Sequence, residues 1–471
     1  MNVQPHFVDP LDILTSVMGM SFSAANEPDF SRTALPTKRT ISKQVWAWAA
    51  WDWGSAAFNA VMTTFVFTVY LTSSLFGNED QNSALLSAGI SIAGVLIALL
   101  APVTGLRSDS SGRRRFWLGV NTFLIAGLTA LCFFVYPHPN FLLLGVVLIA
   151  AGNIFNEFAA INYNAMLSQI STPKTIGQVS GFGWGMGYLG GIVALAIVLF
   201  GFVQPVVDWW GSSSEDALNL RLVALFSALW IFVFGLPVLF AVPENKGVRA
   251  QKVGFFESYR LLFRRIAGLW KTDRHTVYFL IASAIFRDGL ASVFTFGGVI
   301  ASVTFGFTLS QVIVFAIAGN VVAALGAMFG GWLDDRIGPK KVILGSLIGL
   351  LLAGFGVFFS PGAGGFWIFG LFLCLFVGPA QSSSRAFVAR LAESGREGEL
   401  FGLYATTGRA VSFLAPTLFT AAVVIALNYF PDGGAQRYGI LGIMLVLAIG
   451  FLLLLPVKAP VHARSAESSQ A

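Results

Sequence analysis

The sequence GLRSDSSGRRR, from Gly105 to Arg115, returns in outline 226 residues later as GWLDDRIGPKK, from Gly331 to Lys341. Both segments fit the pattern G-x-x-x-D-x-x-G-x-[RK]-[RK]. Two fainter repeats have similar offsets: DWGSAAF at 52–58 with DGLASVF at 288–294, and a glycine pair at 177 and 181 with another at 398 and 402. Similar offsets along one chain indicate an internal duplication. The sequence therefore predicts two related halves.

Long apolar runs place both halves in a membrane. Hydrophobic residues make up 56% of the 471 residues, charged residues only 11%, and the mean hydropathy is +0.75. A membrane-spanning helix needs about 20 apolar residues. We expect an all-α polytopic membrane protein with twelve transmembrane helices in two pseudo-symmetric six-helix bundles. The predicted spans cover 44–76, 83–104, 116–136, 141–166, 177–203, 219–242, 276–302, 309–333, 341–359, 365–390, 400–427 and 437–456.

The loops and tails divide the chain and predict its orientation. We assign 1–43 to an N-terminal tail without the features of a secretory signal, 44–242 to the N-terminal bundle, 243–274 to a connector, 275–456 to the C-terminal bundle and 457–471 to a C-terminal tail. With the N-terminus inside, the outer loops carry only two bases, Arg221 and Arg437. Because Lys and Arg concentrate in cytoplasmic loops, both termini are predicted to be cytoplasmic and the membrane to be the plasma membrane.

Several function classes find no support in the sequence. The cysteines and histidines lack metal-ligand spacing, and no phosphate-binding GxxxxGK segment exists. No basic patch is interleaved with aromatic residues, as nucleic-acid binding would favour. No nucleophile stands beside a base in a catalytic arrangement. We therefore expect no enzyme activity, no cofactor, no metal and no nucleic acid. The cysteines and histidines are Cys132, Cys374, His6, His138, His275 and His462.

The repeated loop segment resembles the signature of the major facilitator superfamily. That resemblance implies a glycine turn, a carboxylate at the cytoplasmic end of a helix, and bases on the next helix that hold the cytoplasmic side closed. The first copy has Ser110 where the family has a base, so its contact is expected to be weaker or to use Arg107. The alternative is that the bases only follow the positive-inside rule. The expected gate residues are Gly105, Asp109, Gly112, Arg113, Arg115, Gly331, Asp335, Arg336, Gly338 and Lys341.

A narrower resemblance covers most of the chain. It rests on WAWAAWDWGSAAF at 46–58, INYNAMLSQI at 161–170, IGQVSGFGWGMGYLGG at 176–191, FRDGLASVFTFGG at 286–298 and GPAQSSSRAFVARLAESGREGELFGLYATTGRAVSFLAP at 378–416. These segments are similar to the "unknown major facilitator" family, which is related to the fungal vacuolar amino-acid effluxers of autophagy. The resemblance implies a secondary transporter with alternating access.

Polar residues inside the predicted spans are candidates for the transport pathway. An ionisable group within a membrane is costly and usually faces the interior of the bundle. The resemblance implies that spans 1, 4, 7 and 10 face a central cavity, and these spans carry most of the polar residues. The predicted substrate or proton pathway consists of Asp52, Asn59, Asn153, Asn156, Glu157, Arg287, Asp288, Gln381, Arg385 and, from span 11, Arg409.

Several of these residues allow two interpretations. Glu157 could take up and release a proton, or form a permanent ion pair with Arg409 or Arg287. Arg287 could equally hold a substrate carboxylate. Asp52 could face the pathway or only cap the inner rim, where the neighbouring tryptophans at 46, 48, 51 and 53 are expected to form an aromatic belt.

The sequence predicts a secondary active transporter of a small polar solute, with amino acids as candidates. We expect coupling to protons, efflux as the direction, and a monomer in the lipid bilayer. The alternatives are a carrier of a lipid or amphipathic solute, and a membrane sensor on the same fold that does not transport.

Overall fold

The computed structural model describes residues 41–205, 207, 209–244, 255–430 and 434–458. Most of the two predicted tails and part of the predicted connector lie outside these residues. The domain boundaries drawn from the sequence therefore stay predictions.

Twelve helices in the described part of the chain are long and apolar enough to cross a membrane. The predicted fold class is confirmed: the protein is an all-α polytopic membrane protein. Spans 1 to 6 are Lys43–Thr72, Glu79–Ser111, Arg114–Phe134, Pro139–Ile170, Ile176–Val203 and Glu215–Ala241. Spans 7 to 12 are Arg274–Thr304, Gln311–Ile337, Pro339–Phe359, Ala363–Leu391, Glu397–Leu427 and Ala435–Leu454.

A further helix, Phe255–Thr272, precedes span 7 and contacts spans 2 and 7. Its Tyr259 hydroxyl donates a hydrogen bond of 2.8 Å to the carbonyl oxygen of Leu99 in span 2. This contact connects the segment between the two bundles to the N-terminal bundle.

Both repeated segments form sharp turns between consecutive spans. Gly112 follows span 2 with a φ of 63°, and Gly338 follows span 8 with a φ of 91°. Positive φ suits glycine because it has no Cβ. We call Gly105–Arg115 the N-terminal motif, Gly331–Lys341 the C-terminal motif, and the side of the bundle on which they lie the motif end.

The two bundles approach each other closely along two pairs of spans. Span 2 packs against span 11, and span 8 packs against span 5. A Cβ built on Gly402 of span 11 would lie 2.7 Å from the carbonyl oxygen of Ala101. Because Pro102 has no N–H, the carbonyl of Ala98 loses its helical partner, and the Thr406 hydroxyl of span 11 donates to it at 3.0 Å.

Spans 1, 5 and 7 each contain a π-helical segment in the half of the span away from the motif end. These segments are Phe58–Phe65, Leu199–Val203 and Ile300–Thr304. Short π-helical segments occur frequently at functional sites. Here the segments of spans 1 and 7 both reach the central cavity.

Candidate functional site

A cavity of about 1100 Å³ lies between the two bundles. It begins near Asp52 and Arg385 and extends away from the motif end to Thr64 and Ser302. Its walls come from both halves of the chain and are mainly apolar. The predicted pathway residues that line it are Asp52, Asn59, Asn156, Glu157, Arg287 and Arg385.

An ion pair between the two halves forms the floor of this cavity. Arg385 of span 10 lies 3.1 Å from Asp52 of span 1, measured from Nη1 to Oδ2. The same carboxylate oxygen accepts a hydrogen bond of 2.8 Å from the Tyr163 hydroxyl. Arg385 also donates to Ser180 of span 5, at 3.0 Å to the hydroxyl and 2.6 Å to the carbonyl. The Arg385 guanidinium of span 10 thus contacts both span 1 and span 5 of the N-terminal bundle.

Aromatic rings surround this ion pair. Trp48 and Trp51 stack on Tyr163 with centroid distances of 4.3 and 4.4 Å. The Arg385 guanidinium lies 5.0 Å from the Trp48 ring and 5.4 Å from the Trp184 ring, within cation–π range. The expected aromatic belt is wrong for Trp48 and Trp51, which are 0% and 3% exposed because they pack around Tyr163.

A second ion pair joins the halves beside the cavity. Arg409 of span 11 lies 2.8 Å from Glu157 of span 4. Arg287, the other base considered as a partner of Glu157, contacts Tyr404 instead. Its guanidinium lies 3.7 Å from the Tyr404 ring and donates at 3.2 Å to the Tyr404 carbonyl. Of the two bases considered as partners, Arg409 is therefore the one that pairs with Glu157 in this structure, and the proton role of Glu157 stays a prediction.

Three other predicted pathway residues lie outside the cavity lining, and their roles in transport stay predictions. Asp288 is 8% exposed and accepts a hydrogen bond of 2.6 Å from the backbone N–H of Ala415. Span 11 is interrupted just before that residue, so Asp288 satisfies an N–H at a new helix start. Asn153 donates to the carbonyl of Ile149 within its own span, and Gln381 is absent from the residues that line the cavity.

At the motif end, the N-terminal motif contacts the start of span 11. The Asp109 carboxylate accepts backbone hydrogen bonds from Gly398 at 3.1 Å and Glu399 at 2.7 Å. The base beside it is Arg114, which the sequence prediction did not include: it donates to Asp109 and, at 2.5 Å, to Glu397. Arg115 pairs with Glu244 at 3.1 Å.

The C-terminal motif contacts the start of span 5 in the same way. Asp335 accepts backbone hydrogen bonds of 2.8 Å from both Gly177 and Gln178. Its base is Arg390 of span 10, at 2.9 Å, and Arg390 also pairs with Asp334. The expected neighbour Arg336 lies instead over the Trp332 ring at 3.5 Å.

Sequence reasoning missed the residues whose contacts depend on the packing of distant spans. Tyr163 belongs to the quoted INYNAMLSQI segment and lines the cavity, and its polarity within an apolar span was a signal that could have found it. Asn164, which helical spacing places on the polar stripe of span 4, lines the cavity as well. Glu397 and Arg390 stand at span ends, where charges are ordinary, and so gave no such signal.

Comparisons with known proteins show the family of this chain. Residues 72–467 match the model of a family described as vacuole effluxer Atg22 like. An uncharacterized MFS-type transporter, YxiO of Bacillus subtilis, is 24% identical over 425 residues, which cover 88% of this chain and 95% of that protein. Autophagy-related protein 22-1 of Aspergillus fumigatus is 23% identical over 294 residues, 57% of this chain and 47% of that protein.

Among solved structures, the proton:xylose symporter XylE superposes with a TM-score of 0.67 at 13% sequence identity. The match covers 88% of this chain and 95% of that one. At this level of identity the likeness shows the fold alone, which is that of the major facilitator superfamily.

Proposed function

This chain belongs to the Atg22-like vacuole effluxer family and is a membrane transporter of the major facilitator superfamily, and from that premise we propose that it moves a small polar solute, coupled to protons. Amino acids are the first candidates, because the resemblance to the fungal effluxers implies them. We assign no enzyme activity to it, in agreement with its relatives, which are transporters.

The observation that carries the proposal is the pair of ionic contacts that cross between the halves at one cavity. Asp52 with Arg385 and Glu157 with Arg409 each join a residue of the first bundle to one of the second. Halves that rock about a central site must break and remake such contacts. A solute or proton that binds these charged groups can therefore shift the equilibrium between the two arrangements of the halves.

The finer parts of the proposal concern orientation and direction. We place the motif end and both termini in the cytoplasm because the bases concentrate there. The described arrangement, with contacts closing the motif end, then corresponds to the outward-facing half of the cycle. Efflux, the plasma membrane and a monomer complete the proposal.

The apolar walls favour one alternative solute. Phe294, Phe315 and Phe366 line the cavity, and a lipid or amphipathic molecule would fit such walls. The opposed ion pairs support a polar solute more strongly, because buried charges without a polar cargo would only cost free energy. A sensor that does not transport would not need the pairs to separate.

The test is uptake of labelled amino-acid mixtures into proteoliposomes under an imposed proton gradient. Glu157→Gln keeps a hydrogen bond to Arg409 but cannot carry a proton. We expect gradient-driven uptake to fall about tenfold or more in this variant, while exchange of solute without a gradient persists. Glu79→Gln, an exposed residue at the start of span 2, is the matched control and is expected to behave as wild type.

Two results would contradict the proposal. Uptake that ignores the gradient equally in wild type and in Glu157→Gln would exclude the proton role of Glu157. Uptake of a fluorescent phospholipid but of no amino acid would favour the lipid carrier.

A further inference from the structure

We infer that the transported solute is an organic anion whose carboxylate binds Arg287, with its apolar part against the aromatic wall of the cavity. This inference rests on the proposed transport of a small polar solute, and it replaces amino acids, the first candidates above, by another chemical class of cargo. It follows from the charges of the cavity, the geometry of one arginine and the composition of the walls.

Two carboxylates and two guanidiniums line the cavity: Asp52, Glu157, Arg287 and Arg385. The partner of Glu157, Arg409, lies beside the cavity, and with it the bases outnumber these carboxylates by one. Asp52 is paired with Arg385 at 3.1 Å, and Glu157 is paired with Arg409 at 2.8 Å. Among the described residues, no carboxylate oxygen lies within 4.0 Å of the Arg287 guanidinium. Asp288, the next residue in the chain, accepts from the backbone N–H of Ala415 and does not line the cavity. Arg287 is therefore a lining guanidinium that no described carboxylate pairs.

Contacts on one side hold the Arg287 side chain in place. Its guanidinium lies 3.7 Å from the Tyr404 ring centroid, and its Nη1 donates at 3.2 Å to the Tyr404 carbonyl. A Cβ on Gly408 would lie 3.4 Å from the same nitrogen, so glycine leaves the space that the guanidinium uses. Nε and Nη2 donate to no acceptor in the part of the chain that the structure describes. A guanidinium with two free donors suits a carboxylate, which it can bind through two hydrogen bonds.

The surroundings of Arg287 favour an organic anion over a small inorganic one. Tyr188 of span 5 and Phe294 of span 7 both line the cavity, with ring centroids 6.1 Å apart. On the N-terminal half, Asn156 donates to Asn59 at 3.4 Å, which adds neutral amides to the same cavity. An aromatic or alkyl group can pack on such rings, while the amides can bond an uncharged polar group.

The same charges disfavour a zwitterion. An ammonium group in a membrane cavity needs a carboxylate partner. Both cavity carboxylates already have an arginine within 3.1 Å. The ammonium of an amino acid would have to share a carboxylate with an arginine, whereas an organic anion only fills the place beside Arg287. The structure thus favours a carboxylate without an ammonium.

The experiment is calorimetric titration of the purified full chain in lipid nanodiscs with four probes. These are 3-phenylpropanoate, its neutral amide 3-phenylpropanamide, the zwitterion L-phenylalanine, and nitrate as an inorganic oxyanion. We expect 3-phenylpropanoate to bind about tenfold or more tightly than each other probe, because hydrogen bonds between charged groups are the strong ones. Arg287→Gln is expected to reduce the affinity for 3-phenylpropanoate to that for the amide, and Arg287→Lys to retain part of the difference.

Arg437→Gln is the matched control, since Arg437 also lies over an aromatic ring, at 5.5 Å from the centroid of Phe305, and does not line the cavity. It should bind 3-phenylpropanoate as wild type does. Equal affinity for the anion and the amide, or an anion affinity that Arg287→Gln leaves unchanged, would overturn the assignment. Nitrate binding as tightly as 3-phenylpropanoate would overturn the role of the aromatic wall.

The transport assay separates this inference from the function beneath it. Gradient-driven uptake of amino acids by a protein that binds L-phenylalanine more tightly than 3-phenylpropanoate would overturn the anion class and leave proton-coupled transport standing. If none of the probes binds and no solute is taken up, both the anion class and the transport function are overturned.

Discussion

In both the N-terminal and the C-terminal motif an aspartate binds backbone N–H groups of the other half, but the arginines beside the two aspartates differ. In each, an aspartate accepts two backbone N–H groups from the first turn of a span in the other half: Asp109 from Gly398 and Glu399, Asp335 from Gly177 and Gln178. A carboxylate at a helix N-terminus is favourable because the N–H groups there lack partners. This backbone contact is the part that the two motifs share.

The bases differ in origin and in what they connect. Arg114, just after the N-terminal motif turn, contacts Asp109 of its own half and Glu397 of the other half. Arg390, which comes from span 10, contacts Asp334 and Asp335, both in its own half. Among the contacts described at the motif end, only the N-terminal motif therefore includes an ion pair that joins the two halves. Three sets of substitutions test how much this difference matters.

The largest difference is expected from removing each aspartate. Asp109→Ala removes two hydrogen bonds between the halves and leaves Arg114, which is 3% exposed, with Glu397 alone; it should destabilise the closed motif end by about 2 to 4 kcal/mol. Asp335→Ala leaves Arg390 paired with Asp334 and should cost about 1 to 3 kcal/mol. Distances between spin labels at Pro173→Cys and Ser394→Cys, exposed positions of opposite halves, measure the closed fraction, since Cys132 and Cys374 are buried.

A closed fraction reduced equally by the two substitutions would show that the bases contribute nothing beyond the backbone contact. Asp109→Asn serves as the companion variant, because it keeps the shape of the side chain while removing its charge.

An intermediate effect is expected from adding one methyl group where the halves touch. A Cβ on Gly105 would lie 1.9 Å from the Gly398 carbonyl oxygen, and one on Gly331 would lie 2.3 Å from that of Gly177. Each Gly→Ala variant should open the motif end by about 1 to 3 kcal/mol, as overpacking does, and by similar amounts in the two motifs. The same spin-label distances measure it.

Gly94→Ala in span 2 is the control for this pair, since a Cβ there meets no atom within 4 Å. A closed fraction that is unchanged in Gly105→Ala would mean that the close approach of the two backbones does not determine closure.

The smallest effect is expected from Glu397→Gln. Arg114 keeps Asp109, so the loss of the ionic contact between the halves should cost about 1 kcal/mol. Raised salt should change this cost little, because Arg114 and Glu397 are buried. Arg396→Gln, which breaks an exposed pair with Glu393, should change the closed fraction by less than about 0.5 kcal/mol. Equal effects of the two variants would remove the distinction between the motifs.

The twelve spans were predictable because residues that face a membrane must be mainly apolar, and this is visible in the sequence. Each span needs an apolar run of a set length, and the repeated motif pairs the halves. The positions of Asp109 and Asp335 beside the turns could be read from the same motif. Their partners could not, because Gly398 and Gly177 are remote in sequence and contribute only main-chain N–H groups.

Sequence reasoning named six residues that line the cavity, but it did not predict the pair of Asp52 with Arg385 and gave Glu157 with Arg409 only as one alternative. Asp52, Glu157 and Arg385 stood out as charges within apolar runs. That Arg385 would meet Asp52, and Arg409 meet Glu157, depends on the rotation and depth of spans from opposite halves. The contact of Arg287 with Tyr404 could not be predicted, because an aromatic ring and a main-chain carbonyl are not distinctive in the sequence.

The backbone contacts at the motif end also bear on how a duplicated chain diverges. An aspartate that binds main-chain N–H groups does not require any particular side chain on the first turn that it meets, as Glu399 and Gln178 illustrate. What the opposite helix must retain is a small residue at the point of closest approach. After duplication, each half can therefore drift in sequence while the other half still recognises it.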